Sequence, residues 1–418
     1  MSAASSPEPS PPTSPTPHDT FAALRISNYR RYALGFLTSG MGLQILATAV
    51  GWEIYHRTQD PMHLGYAGLA RALPVVLFAL VAGQVADRFE RKRIIVITQS
   101  AFAFAALALA IASYLQLSIL WLYVLLSVFG FIRAFAGPAR NSYLPQLIPQ
   151  GTFHNAVTWN SVLFQLAATL GPLLAGALIA VKDAAWLAYA ATAAGTLIFA
   201  VCILATRPSP QTLSTEPINL TSTLAGAKHI WTQKEIFGAI TLDLFAVLLG
   251  GATALLPMFA ADILHVGPVG LGALRSATYV GALLMGLYLA NRPPFTRAGP
   301  ALLWSVVAFG ACMIVFGFST SFWLSLFALA ASGAVDNISV VIRHVLVQNK
   351  TPDHLRGRVG AVNSVFIECS NELGGFESGL VAKFFGPVVS VVSGGIGTIM
   401  VAAVVCLTIP QVRRMKDL

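Results

Sequence analysis

Twelve apolar runs of about 20 residues recur along this chain, and that length is what a helix needs to cross the hydrocarbon core of a bilayer. Lipid offers no hydrogen bonds, so each run must pair its own backbone, as a helix or as a strand of a closed barrel. Ten-residue segments of alternating polarity, the mark of a barrel, are absent from the sequence. The spans are expected at 33–55, 64–86, 94–115, 119–140, 157–181, 185–206, 236–262, 269–290, 300–319, 322–345, 360–383 and 387–410. With 56% apolar residues and only 10% charged ones, the chain lies outside the range of soluble domains. The expected fold class is an all-α polytopic membrane protein with twelve transmembrane helices.

The placement of the bases sets the expected topology. Nineteen of the 26 Lys and Arg residues fall on the face that holds both termini, three (Arg57, Lys182 and Lys383) on the other, and four inside spans. Basic loops stay on the cytoplasmic side, so both termini are expected there. The net charge of +9 is then topology, and no nucleic-acid partner is expected. Residues 1–22 form a Ser/Pro-rich tail, expected to be disordered and to hold no cleaved signal peptide. The expected domains are an N-terminal bundle at 23–206, a cytoplasmic linker at 207–235, a C-terminal bundle at 236–411 and a short tail at 412–418. In the linker, Leu220, Leu224, Ala227 and Trp231 can share one face of a helix lying on the membrane; a flexible tether with one aromatic anchor is the alternative. Cys202, Cys312, Cys369 and Cys406 all lie in apolar runs without metal-like spacing, which points to buried thiols and no disulfide.

The two halves repeat. A gapless shift of 203 residues places Arg140 on Arg343, Pro149 on Pro352, Asn160-Ser161-Val162 on Asn363-Ser364-Val365, Leu170-Gly171 on Leu373-Gly374, and Gly176 on Gly379. A shift of 204 places Gly68 on Gly272, Arg71 on Arg275, and Asp87-Arg88 on Asn291-Arg292. Six spans per unit keep both copies in one orientation, so two parallel six-helix bundles around a central cavity are expected.

Between the second and third spans lies Gly83–Arg93, GQVADRFERKR, with Asp87 and Glu90 set against Arg88, Arg91, Lys92 and Arg93. This order of glycine, acid and bases resembles the signature loop of the major facilitator superfamily. The resemblance implies that Gly83, Asp87, Arg88 and Arg91 form a latch holding the cytoplasmic side closed. A topology-fixing charged loop is the plainer reading, and the positive-inside rule alone explains the bases. Spans three, six, nine and twelve contain no Asp, Glu, Lys or Arg, as the outermost helices of that superfamily would. In span five, Gly171, Pro172 and Gly176 resemble the antiporter motif of its drug-exporting branches, with Ala175-Gly176 in place of a glycine pair. Proline kinks a helix and glycine admits a neighbouring backbone, so a kinked packing helix is the alternative. The stretches 133–149 and 336–366 are similar to the export branch that includes enterobactin exporters and macrolide efflux proteins. Asn291-Arg292-Pro293-Pro294 departs from the pattern by replacing the acid-bearing loop in the second half.

A charge facing lipid is costly, so charges within spans must face the bundle or a wet cavity. Proton coupling needs a carboxylate there, and the candidates for coupling or a charge network are Asp243, Asp336, Arg343, Glu368, Glu372 and Arg133. Asp336 and Arg343 lie seven apart, Glu368 and Glu372 four apart, each pair on one helical face. Structural ion pairs are the competing reading, Asp243 with Arg343 among them. Glu53 and Arg71 are candidates for an outer-side pair, with snorkelling to the interface as the alternative for Glu53. Asn160, Gln165, Asn363 and Asn371 are the cavity candidates, because an amide facing lipid would lack partners. Trp52, Tyr55, Phe164, Phe245, Met258, Tyr279 and Phe366 are weaker ones.

No Walker loop, His/Glu metal pattern or nucleophile elbow is present, so neither an enzyme nor a cofactor or metal is expected. The expectation is a monomeric secondary transporter of a bacterial inner membrane, exporting an amphipathic, drug- or siderophore-like small molecule in exchange for protons. An importer or a lysophospholipid flippase on the same fold, and a non-transporting receptor, are the alternatives.

Overall fold

The computed structural model describes residues 19–182, 184–209, 228–293 and 295–416, without the side chains of 79, 80, 84, 86, 87, 150, 353, 354, 356–358, 361, 365 and 368. Twelve helices follow in order: α1 (Ser27–Thr58), α2 (Met62–Arg88), α3 (Arg91–Tyr114), α4 (Ile119–Tyr143), α5 (Phe153–Lys182), α6 (Trp186–Leu204), α7 (Lys234–Ile263), α8 (Gly267–Ala290), α9 (Ala298–Phe318), α10 (Phe322–Lys350), α11 (Asp353–Phe385) and α12 (Pro387–Thr408). Ten of them are long and apolar enough to cross a membrane, and α2 and α11, at 27 and 33 residues, complete the set. Every expected span falls on one of these helices. Most of the linker, including Leu220, Leu224 and Ala227, lies outside the described residues; Trp231 is 72% exposed, with its ring 5.0 Å from that of Phe237.

Local chemistry sets the helix ends and breaks. Gly386, at φ 87°, ends α11 in a conformation that L side chains rarely adopt, and Pro387 then starts α12 where no amide donor is needed. Helix α7 is interrupted at Gly250-Gly251 and finishes in a π turn at Phe259–Ile263, just after Pro257.

In the N-terminal half α1 packs on α5 and α6, α2 on α4, and α3 on α4 and α6. In the C-terminal half α8 packs on α10, α9 on α10 and α12, and α7 on α11 and α12. The halves meet along two seams, α5 with α8 and α2 with α11. The charge-free helices present their large apolar side chains outward, among them Phe104 (74% exposed), Trp304 (71%) and Leu407 (78%). Such all-round apolarity suits contact with lipid chains.

The apolar clusters show how the central cleft is shaped. On the face opposite the termini one cluster runs through both halves, joining Ile54, Tyr55 and Leu64 to Leu255, Phe259 and Leu274. On the terminus face each half has its own cluster, one around Tyr29, Tyr143 and Phe199, the other around Ile236, Leu302 and Leu346. Among the described side chains, the apolar core therefore joins the halves opposite the termini and not on the terminus face. A Cβ on Gly83 or Gly360 would meet nothing within 4 Å, whereas seam glycines on the joined side touch backbone. A Cβ on Gly272 would lie 2.4 Å from the Pro172 carbonyl oxygen, and one on Gly379 2.8 Å from that of Pro61. Their repeat partners serve the same two seams: Gly176 meets Pro268 and Gly68 meets Glu372. The internal repeat thus places small residues where the halves must touch.

Overpacking a contact within one half should act on stability. A Cβ on Gly281 would fall 1.8 Å from the Ala330 carbonyl oxygen, between α8 and α10. Gly281→Val is expected to cost about 1–3 kcal/mol, read as a lower melting temperature. Gly272→Val, at the seam between the halves, is expected to melt near wild type while speeding hydrogen exchange along residues 268–276.

Candidate functional site

At the middle of the cleft the Arg71 guanidinium of α2 reaches Glu372 of α11, Nη2 to Oε2, at 3.1 Å. The pair lies in a cavity lined also by Arg133, Cys369 and an apolar wall that includes Leu46, Val75 and Phe129. Arg71 Nε is buried without a hydrogen-bond partner. From α8, Arg275 donates to the carbonyl of Ala47, which lines the same cavity, at 3.4 Å. Its charged neighbours there are Arg71 and Glu372. Arg71, which pairs with Glu372, and Arg275 are related by the internal repeat and lie near one another.

A second cluster lies wholly in the C-terminal half. Asp243 of α7 and Arg343 of α10 form a buried ion pair, and Asp336, two turns before Arg343, lines the same small pocket with Ser305 and Ser339. Asp243 and Arg343 are the charged neighbours of Asp336. Arg343 thus pairs with one of two neighbouring carboxylates, and its Nε has no hydrogen-bond partner.

The expected outer-side pair of Glu53 with Arg71 is not formed. Glu53 is buried with its Oε1 3.0 Å from Nη1 of Arg57, one turn along α1, while Arg71 is committed to α11. The two side chains leave their helices toward different neighbours: Tyr189 of α6 interacts with Glu53, whereas α2 turns Arg71 to the inter-half seam.

Sequence reasoning missed three contacts on the face opposite the termini, the first two of which join the halves. Tyr55 donates its hydroxyl to Asp262 of the α7 π turn. Lys383 donates to Asp60 at 2.8 Å, tying the end of α11 to the α1–α2 turn. His63 Nδ1 and the Tyr123 hydroxyl lie 2.5 Å apart. Partial burial alone would raise the Asp60 carboxyl. The hydrogen bonds from Lys383 and the Met62 amide, with the Lys383 charge, outweigh it and hold the group below its ordinary value. The signal was an acid in a turn and a base at a helix end on the face that the positive-inside rule leaves almost bare.

On the terminus face the bases of the signature loop cap helix ends. Arg91 donates to the Ser142 carbonyl at the end of α4 at 3.0 Å, and Lys92 to the Leu204 and Thr206 carbonyls past α6 at 3.0 and 2.7 Å. Such contacts satisfy orphan carbonyls and oppose the negative end of the helix dipole. Arg88 is exposed, and the Asp87 side chain lies outside the described residues, as does that of Glu368. In α5, Gly171 packs on Met41 and Gln44 of α1, Pro172 and Gly176 meet α8, and the Thr169 carbonyl accepts the Ser276 hydroxyl at 2.7 Å. Asn160 accepts a hydrogen bond from Tyr29 at 3.0 Å, tying α5 to α1. Asn371 is exposed and donates to the Ile367 carbonyl of its own helix at 2.8 Å. Gln165 and Asn363 are partly buried, while Phe164, Phe245 and Phe366 are exposed.

Comparison with known proteins matches residues 18–417 to the family described as transmembrane secretion effectors. The chain belongs to that family, within the major facilitator superfamily. The enterobactin exporter EntS of Citrobacter koseri is 24% identical over 390 residues, covering 93% of each chain. EntS of Escherichia coli O1:K1 is 23% identical with the same coverage. Among solved structures, a bacterial homologue of the lysosomal transporter Spinster, inward-facing and occupied, superposes with a TM-score of 0.71 at 15% identity, covering 96% of this chain and 99% of that one. A peptide transporter, POT, gives 0.73 at 12%, covering 93% and 95%. The chain is a multi-pass membrane transporter of the export branch, with a small-molecule substrate, and not an enzyme.

Because the Asp60 carboxyl titrates below its ordinary range, its tie to Lys383 is present above that range and lost as pH falls through the lowered value. Hydrogen exchange across residues 59–64, corrected for intrinsic rates, should not change between pH 7 and about pH 5. Lys383→Ala should speed it at both.

Proposed function

We propose that this transporter is a proton-coupled exporter of amphipathic small molecules, drug- or siderophore-like, acting as a monomer in the bacterial inner membrane with both termini in the cytoplasm. The observation that carries the reading is the cluster of Asp243, Asp336 and Arg343, in which a buried Asp243–Arg343 pair has a second, half-buried carboxylate beside it. One uncompensated charge inside a membrane protein is costly, and a single proton removes it. The export direction is supported by relatives that match along 93% of the chain and export enterobactin.

With the termini in the cytoplasm, the face on which no described apolar core joins the halves is the cytoplasmic one, where an exporter takes up its cargo. Closure there and opening opposite would expose the cargo to the outside. A proton arriving in that state neutralises the three-group cluster, so the empty carrier returns without its excess charge. Release of the proton inside restores the carboxylate and completes an exchange of one for the other. Asp87, carried by the superfamily resemblance, would act on the cytoplasmic side by latching the closed state.

Transport by inverted membrane vesicles, followed with a pH-sensitive dye and a panel of siderophores, macrolides and lipophilic cations, tests the reading. Asp336→Asn leaves the Asp243–Arg343 pair intact, so substrate exchange should persist while its dependence on the pH gradient is lost. Retained pH-driven transport would overturn the coupling assignment. Asp87→Asn should reduce transport sharply with normal membrane insertion, and wild-type flux in that variant would remove the latch.

A further inference from the structure

Beside the Asp243–Arg343 pair, the small pocket of the C-terminal half holds oxygen atoms that contacts within the protein leave unused. Asp336 accepts no hydrogen bond from a described residue. Ser339, three residues on along α10, is 3% exposed and lines the pocket, yet its hydroxyl has no hydrogen-bond partner among the described residues. Helical serines usually return their proton to their own helix, as Ser332 and Ser364 do here; Ser339 does not. Ser305 of α9 donates to the Leu302 carbonyl at 2.8 Å, which uses its proton and leaves its lone pairs. Asp243 spends Oδ2 on Arg343. None of the side chains lining the pocket bears nitrogen.

The electrostatics have one sign. Asp243 and Arg343 are the charged neighbours of Asp336, and His344 adds a titratable neighbour to Asp243. The span of α9 brings no charge. Ala246 and Val247, also in the wall, belong to the last turn of α7 before the Gly250-Gly251 break, where the helix dipole is negative. One surplus negative charge calls for one positive one. A proton cancels the charge but leaves most of these oxygens unused, whereas a small hard cation takes several oxygen ligands at once. A divalent ion would overshoot the balance.

Resting on the coupling reading above, we propose that this pocket binds Na+, or the smaller Li+, among the Asp336 and Asp243 carboxylates and the Ser339 and Ser305 hydroxyls, in competition with the proton. Either cation cancels the surplus charge, and binding one excludes the other.

Binding of radioactive sodium to the full-length protein in nanodiscs tests this without transport, at an ionic strength held constant with choline chloride. Saturable binding is expected, displaced by excess Li+ and not by choline, and weakening as pH falls because each proton bound displaces one ion. Asp336→Asn, which removes the surplus charge, should abolish it. Ser339→Ala keeps the charge and has no hydrogen bond to lose, so it should fold normally and weaken binding about tenfold, the weight of one contact to a charged group. Na+ should also slow hydrogen exchange at 239–247 and 334–342 in the wild type and not in Asp336→Asn. No saturable binding by monodisperse protein, displacement by choline as strong as by Li+, or binding unchanged in both variants overturns the site. Undiminished binding in Ser339→Ala alone overturns the part given to its hydroxyl. Proton-driven transport without sodium binding sinks this inference alone; sodium binding without proton-driven transport sinks only the proton reading.

Discussion

A charge placed in hydrocarbon must find its partner inside the protein, and the organisation of this transporter follows from where those partners are. Helices α3, α6, α9 and α12 carry no Asp, Glu, Lys or Arg in their spans and can face lipid. The charged helices are drawn inward, where Arg71 meets Glu372 across the halves and Asp243 meets Arg343 within one. The two pairs differ in kind. The first joins the two halves; the second lies within one of them.

Much of the fold was legible because a bilayer reduces folding to length and polarity. The spans, the parallel repeat and the charge-free outer helices all follow from those two properties. The repeat carried more than topology: Gly68 and Gly272, and Gly176 and Gly379, are among the residues through which the halves touch. What sequence could not give was helix rotation. A run that is apolar all round does not state which face a lone charge takes, so Glu53 and Arg71 were paired with each other when α1 and α2 direct them to different neighbours. The same gap concealed the Tyr55–Asp262 contact, since 207 residues separate its partners.

The signature loop shows a related limit. Its bases were explained by topology alone, yet Arg91 and Lys92 each hold carbonyls at the ends of α4 and α6. Because those helices belong to the same half as the loop, these contacts brace the N-terminal bundle as one body and leave the C-terminal half independent of them.

The seam glycines have an energetic consequence. Contact through bare backbone buries little apolar surface, and the Ser276–Thr169 hydrogen bond beside it is worth about 1 kcal/mol. At the seam glycines these are small terms beside the apolar cluster that runs through both halves, and the Lys383–Asp60 tie, shared with solvent, adds modestly to them. A carrier must visit both of its states in every turnover, so neither can be a deep energetic trap. Larger side chains at the seam would make one state tighter or unreachable; glycine keeps the two within reach of thermal motion and of a single bound ligand.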